Sequence, residues 1–145
     1  MSDKTGGCLC GAVRFNLTDP TERFGACHCE MCRRWTGSAL LEFAHPRAAM
    51  TLEGEDDIAT RQTSDWAERA WCAKCGSGLW YRLTYPGAPD ELQLPIGLLD
   101  DPNGMNFDSE IFIDCKPDSY AYAGTRNTMT RAEVFAKYAP SDEET

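Results

Sequence analysis

Seven of the eight cysteines stand in three tight clusters: Cys8-Leu9-Cys10, Cys27-His28-Cys29-Glu30-Met31-Cys32, and Cys72-Ala73-Lys74-Cys75. The two outer pairs offer four sulfurs and the middle cluster offers three. Four thiolates close a tetrahedral zinc site, whereas three leave one position for water or substrate. The arrangement predicts two Zn²⁺ per chain. One is structural, on Cys8, Cys10, Cys72 and Cys75; the second, on Cys27, Cys29 and Cys32, remains open to chemistry.

Three thiolates on Zn²⁺ carry a net charge of −1, so the ion remains a Lewis acid able to take a fourth donor. A substrate thiol suits that role. With a pKa near 8.5 a free thiol is only about 3% ionised at neutral pH, and zinc coordination deprotonates it outright. Alternatives stay open at this point. His28, His45, Cys115 or a carboxylate would close the second site, although His28 sits between two ligands and its ring is expected to point away. A single mixed site or inter-cluster disulfides are further readings, though a Cys-x-Cys pair is too strained to bond to itself. Arg33 and Arg34 follow the middle cluster directly and are candidates for holding a substrate carboxylate; adjacent arginines are equally often just solvated. Cys115 stands alone and reads as a small buried hydrophobe. Trp35, Trp71, Trp80 and Tyr81 flank the knuckles and read mainly as core.

Short strands must position these ligands. Ala12–Leu17 alternates apolar and polar residues, the mark of a half-buried strand. Further candidates are Ser38–Phe43, Ile58–Thr63, Leu79–Leu83, Leu92–Leu99 and Ile111–Ile113. Turn-rich stretches separate them, at 53–57, 85–87 and 100–104. One helix is expected over Thr130–Tyr138, with Val134, Phe135 and Tyr138 on one side, and the acidic tail Ser141–Thr145 reads as disordered. Gly7, Gly11 and Gly76 flank the outer pairs, where a knuckle uses positive φ angles.

At 145 residues, 42% of them hydrophobic, the chain is expected to form one zinc-binding domain, residues 1–145. No run approaches the roughly 20 apolar residues of a membrane span. The polar N-terminus lacks an apolar signal core, which predicts a cytoplasmic protein. A net charge of −9 repels phosphate backbones and anionic membranes, so neither nucleic acid nor membrane is an expected partner.

Gly7-Cys8-Leu9-Cys10-Gly11-Ala12-Val13-Arg14-Phe15, the run from Cys27 to Ser38, and Arg69 to Leu79 together resemble the glutathione-dependent formaldehyde-activating family, whose domain also occurs in centromere protein V. Leu98–Pro102 and Ile111–Ile113 match its later part, so the resemblance covers about residues 5–120 and leaves 121–145 as an extension. It implies a β-tent, a mainly β fold of several small antiparallel sheets with little helix. It implies the same division of the cysteines between two zinc sites. The activity implied is carbon–sulfur lyase chemistry that interconverts glutathione plus formaldehyde with S-hydroxymethylglutathione, zinc holding the thiolate. A related small thiol–carbonyl adduct is the wider substrate class. Two stretches depart from the family: Ser109-Glu110 stands where members carry Pro-x-x-His, and 124–139 matches nothing. The competing function, from a different class, is a non-enzymatic zinc module for a protein partner, and the sequence sets no oligomeric state.

Overall fold

Burial along the second strand follows its sequence alternation: Val13, Phe15 and Leu17 are buried, whereas Arg14 is half-buried and Asn16 exposed. In the computed structural model, which describes residues 3–138, this segment gives β2 (Arg14–Leu17). It pairs antiparallel with β1 (Lys4–Gly7) on one side and β5 (Met50–Glu53) on the other. The fold is mainly β, with eleven strands and two short α-helices among the described residues. The chain divides into two compact units, Met1–Phe24 with Glu42–Asn106, and Gly25–Leu41 with Phe107–Thr145.

The first unit also holds β6 (Ile58–Gln62), β7 (Ala67–Cys72), β8 (Gly78–Leu83) and β9 (Glu91–Pro95), in neighbouring antiparallel order. The Glu42–Pro46 part of β4 (Leu40–Pro46) pairs with β9, setting Phe43 opposite Leu94 and His45 opposite Leu92. The core is built from Val13, Phe15, Leu17, Phe43, Leu79, Trp80, Leu92 and Leu94, and Cys8 and Cys72 belong to it. Each fully buried leucine contributes about 2 kcal/mol by removal from water. The strand expected over Leu92–Leu99 is shorter, because Pro95 lacks the N–H that would extend the ladder and a 3-10 turn follows at Ile96–Leu98.

The second unit holds α1 (Glu30–Thr36), the Gly25–Cys27 end of β3 (Arg23–Cys27), most of β10 (Asn106–Ile111), β11 (Asn127–Met129) and α2 (Arg131–Tyr138). β10 lies between β3 and β11 and pairs with β11 in parallel, Ser109 opposite Asn127, Glu110 opposite Thr128 and Ile111 opposite Met129. The strand expected at Ile111–Ile113 lies earlier. Phe112 adopts a left-handed φ of 55°, which ends the ladder and starts a 3-10 turn, Ile113–Cys115. The helix expected over Thr130–Tyr138 is present. Thr130 and Glu133 cap it reciprocally, the Glu133 N–H donating to Thr130 Oγ1 at 3.2 Å and the Thr130 N–H to Glu133 Oε1 at 2.8 Å. Of its apolar residues only Val134 is buried; Phe135 and Tyr138 are exposed. The tail Ser141–Thr145 lies outside the described residues.

Candidate functional site

Each outer cysteine pair sits on a turn that folds back on itself. The Cys8 N–H donates to Val13 O at 3.0 Å and the Gly11 N–H to Cys8 O at 3.2 Å. In the other turn the Gly76 N–H donates to Cys72 O at 2.8 Å and the Cys72 N–H to Ser77 O at 2.9 Å. Gly11 and Gly76 take positive φ angles, 84° and 83°, as the knuckles require. Gly7 does not; it is small for a different reason, since a Cβ there would run into Val13 O and the Arg14 side chain.

These turns bring the four sulfurs of Cys8, Cys10, Cys72 and Cys75 within 4.8 Å of one another. Cys8 Sγ to Cys10 Sγ is 3.7 Å and Cys10 Sγ to Cys72 Sγ is 3.9 Å. A tetrahedron with zinc–sulfur bonds of about 2.3 Å has edges of about 3.8 Å, so the donor set fits the ion. The spacing is far beyond the roughly 2.05 Å of a disulfide, and none of the eight cysteines is in a disulfide. The electrostatics agree. The Ser77 hydroxyl, the Ser77 and Cys10 N–H groups and the Cys72 thiol together hold Cys75 down at about 5 against the opposing effect of burial. An Ala12 N–H favours the Cys10 thiolate, yet burial and the neighbouring thiols push it up to about 11. Four clustered thiolates repel one another, and a bound dication removes that conflict.

Ser77 was not singled out from the sequence. Its Oγ accepts the Leu9 N–H at 2.9 Å and lies 3.3 Å from Cys75 Sγ, so one hydroxyl links both turns. In sequence it stands inside the Arg69 to Leu79 run that carries the resemblance, with nothing there to give it a role.

The middle cluster owes its convergence to α1, which the sequence reading did not anticipate. Cys29 is the N-cap, its sulfur accepting the Cys32 N–H at 3.3 Å, and the helix ends at Gly37 in a left-handed conformation. Cap and third helical residue face each other across the first turn, which is why Cys-x-x-Cys suits a shared ion. Cys27, Cys29 and Cys32 lie with their sulfurs within 4.8 Å of one another. Among the described residues no fourth His, Cys, Asp or Glu atom joins that set. His45 Nε2 is bonded to Ala49 O at 2.9 Å, and Cys115 Sγ lies 3.6 Å from Arg131 Nη2. Arg33 and Arg34 lie on α1, 3.9 Å and 3.7 Å from Glu30, with Arg34 the more exposed.

His28 turns its ring to Glu110, as its position between two ligands predicts: Nε2 donates to Oε1 at 2.7 Å. Arg126 Nη1 donates to the other carboxylate oxygen at 2.5 Å, and Nη2 to Ala123 O. Burial opposes ionisation of Glu110, but the hydrogen bonds from His28 and Arg126 hold its pKa below the ordinary value. The Arg126 guanidinium also lies 3.9 Å over the Phe107 ring. Glu110 belongs to the Ser109-Glu110 pair that stands in place of the family's Pro-x-x-His stretch, which was its one signal; Arg126 lies in the stretch that matched nothing.

Comparison with known proteins gives one consistent picture. The sequence profile described as "glutathione-dependent formaldehyde-activating enzyme" matches residues 3–115. An uncharacterized lyase of Schizosaccharomyces pombe is 29% identical over 135 residues, 93% of this chain and 96% of that protein. A Halomonas elongata relative that carries the family's name is 29% identical over 83 residues, about half of each chain (52% and 53%). The crystal structure of a Rhodobacter sphaeroides protein, 22% identical, superposes with a TM-score of 0.54 over 66% of this chain and 87% of that one. At that identity the likeness concerns the fold alone.

Proposed function

Since the chain belongs to the glutathione-dependent formaldehyde-activating enzyme family, we propose that it is a carbon–sulfur lyase acting on an adduct of a small thiol and a carbonyl compound. Glutathione and formaldehyde are the pair that the family's name points to. The supporting observation is the unequal donor count: four sulfurs gathered in one cluster, three in the other. Cys8, Cys10, Cys72 and Cys75 are the ligands of a structural zinc; Cys27, Cys29 and Cys32 are the ligands of a second. When bound at three thiolates, zinc supplies a Lewis acid that keeps a fourth sulfur deprotonated.

The chain's own residues then have definite tasks. Cys27, Cys29 and Cys32 fix the place where the substrate sulfur arrives. Arg33 and Arg34, on the last turn of α1, offer guanidinium groups to the carboxylates that glutathione carries. In the synthetic direction the sulfur–carbon bond forms and the thiol proton ends on the carbonyl oxygen; in the reverse direction that bond breaks and the proton returns to sulfur. Thiolate ligands need a compartment that keeps cysteines reduced, which favours the cytoplasm.

The test is metal content followed by turnover of the thiol adduct in the wild type and in Cys29→Ser. Two zinc ions in the wild type, one in the variant, and loss of turnover are expected. Unchanged turnover in Cys29→Ser would sink the assignment.

A further inference from the structure

His28 is held twice to one strand. Its backbone N–H donates to Ile111 O at 3.1 Å, and its ring nitrogen Nε2 to Glu110 Oε1 at 2.7 Å. Both acceptors belong to β10, so the residue between Cys27 and Cys29 has its backbone and its side chain fixed by the same element. The knuckle therefore cannot shift unless β10 shifts or the His28–Glu110 bond breaks.

One of the two strands beside β10, and the second partner of Glu110, come from beyond the family match, which ends at residue 115. Arg126 occupies the second oxygen of Glu110, and its side chain and that of Glu110 are buried to similar degrees, 7% and 8% exposed. The next residue opens β11, whose parallel ladder sets Thr128 opposite Glu110 and Met129 opposite Ile111. The two residues that receive His28 are thus the same two that this strand braces. A buried carboxylate keeps its charge and its orientation only while its partners stay in place. With Oε2 taken by Arg126, the carboxylate cannot rotate away from His28.

We propose that Arg126 is a positioning residue for the middle cysteine cluster, acting through Glu110 and His28, and that the 116–138 segment of this chain serves to brace that knuckle. The inference rests on the reading of Cys27, Cys29 and Cys32 as the functional metal ligands.

The test compares the wild type, Arg126→Ala, Arg126→Lys and Glu110→Gln, each as the full chain. Amide hydrogen exchange is followed over 27–36, with 72–83 as the internal control. Arg126→Ala and Glu110→Gln are expected to speed exchange over 27–36 at least tenfold and to leave 72–83 unchanged, while Arg126→Lys restores most of the protection. With Co²⁺ as probe, Arg126→Ala should change the visible spectrum of one metal equivalent, leave the other alone, and regain the wild-type spectrum in Arg126→Lys. Exchange that is unchanged in both regions, or that rises equally in both, overturns the proposal; Glu110→Gln decides the case should Arg126→Ala not fold. A wild-type chain that takes up one Co²⁺ instead of two refutes the metal reading, and the exchange comparison then decides the bracing by itself.

Discussion

Ser77 carries two tasks on one oxygen, receiving the Leu9 N–H and lying beside Cys75 Sγ. Ser77→Ala removes both, and zinc should leave the four-sulfur cluster about tenfold faster, by the usual effect of groups one layer beyond the ligands. A chelator-release assay reads this, with release from the middle cluster as the unchanged reference. Arg33 and Arg34 invite a different measurement. If they hold a substrate carboxylate, the double change to Ala should raise KM for glutathione adducts about tenfold, close to 1.4 kcal/mol of binding, with little change in kcat. An unaltered KM would leave them as solvated partners of Glu30. Residue identity was well marked in the sequence where chemistry demands a rare side chain. The cysteines announce themselves, whereas Ser77 and Arg126 are marked only by contacts that the fold makes, to Leu9 68 residues away and to Glu110 16 residues away.

At the scale of elements, what the sequence disclosed depended on how each segment is held. β2 alternates because one face is buried, and the alternation is visible in Val13, Phe15 and Leu17. The seven residues of α1 are too few for Met31, Cys32 and Trp35 to stand out as a helical period; Cys29 caps one end of the helix and Gly37 closes the other. Likewise Ile111-Phe112-Ile113 has the composition of a strand, and only the left-handed Phe112 ends it. β1 and β2 are further tied to the segment after β9 by the carboxylate of Asp100. It accepts from Arg14 Nη1 at 3.0 Å and from Thr5 Oγ1 at 2.6 Å. The Arg14 guanidinium first, and the Thr5 hydroxyl second, bring the Asp100 pKa down to about 2. A depressed carboxyl pKa contributes stability that is complete above the ordinary value near 4 and fades as pH falls through the folded value. Asp100→Asn should therefore lower Tm slightly near pH 7, the pair being half-exposed, and the difference should shrink as pH falls through 2 and be gone by about pH 1. A Tm difference that persists at that pH would show that the loss does not come from the charge.

For the molecule as a whole, the two clusters should fail differently. Cys8 and Cys72 are part of the hydrophobic core of the first unit, so their ion would be continuous with its packing. Structural zinc contributes on the order of 10 kcal/mol, comparable to the entire stability of a domain, about 5–15 kcal/mol. Cys72→Ser is expected to abolish cooperative folding, read by near-ultraviolet circular dichroism and thermal melting. Cys29→Ser should stay folded with about half the metal. Equal destabilisation by both changes would contradict the division between structural and reactive sites. The grouping of the sulfurs was legible from spacing alone, because pairs far apart in sequence must be tied by the fold, while three sulfurs within six residues need only a local turn.

That difference in span also orders events during synthesis. Cys27, Cys29 and Cys32 are all present as soon as the first quarter of the chain has emerged, and an ion captured there closes loops of only a few residues. Cys10 and Cys72 are 62 residues apart, and closing so long a loop costs about 3 kcal/mol more than closing one of two residues. On a growing chain the middle cluster can therefore load metal seconds before the outer one is complete. In a cell short of zinc, nascent chains would fill the middle cluster first and wait, still unfolded, for the ion at the outer one.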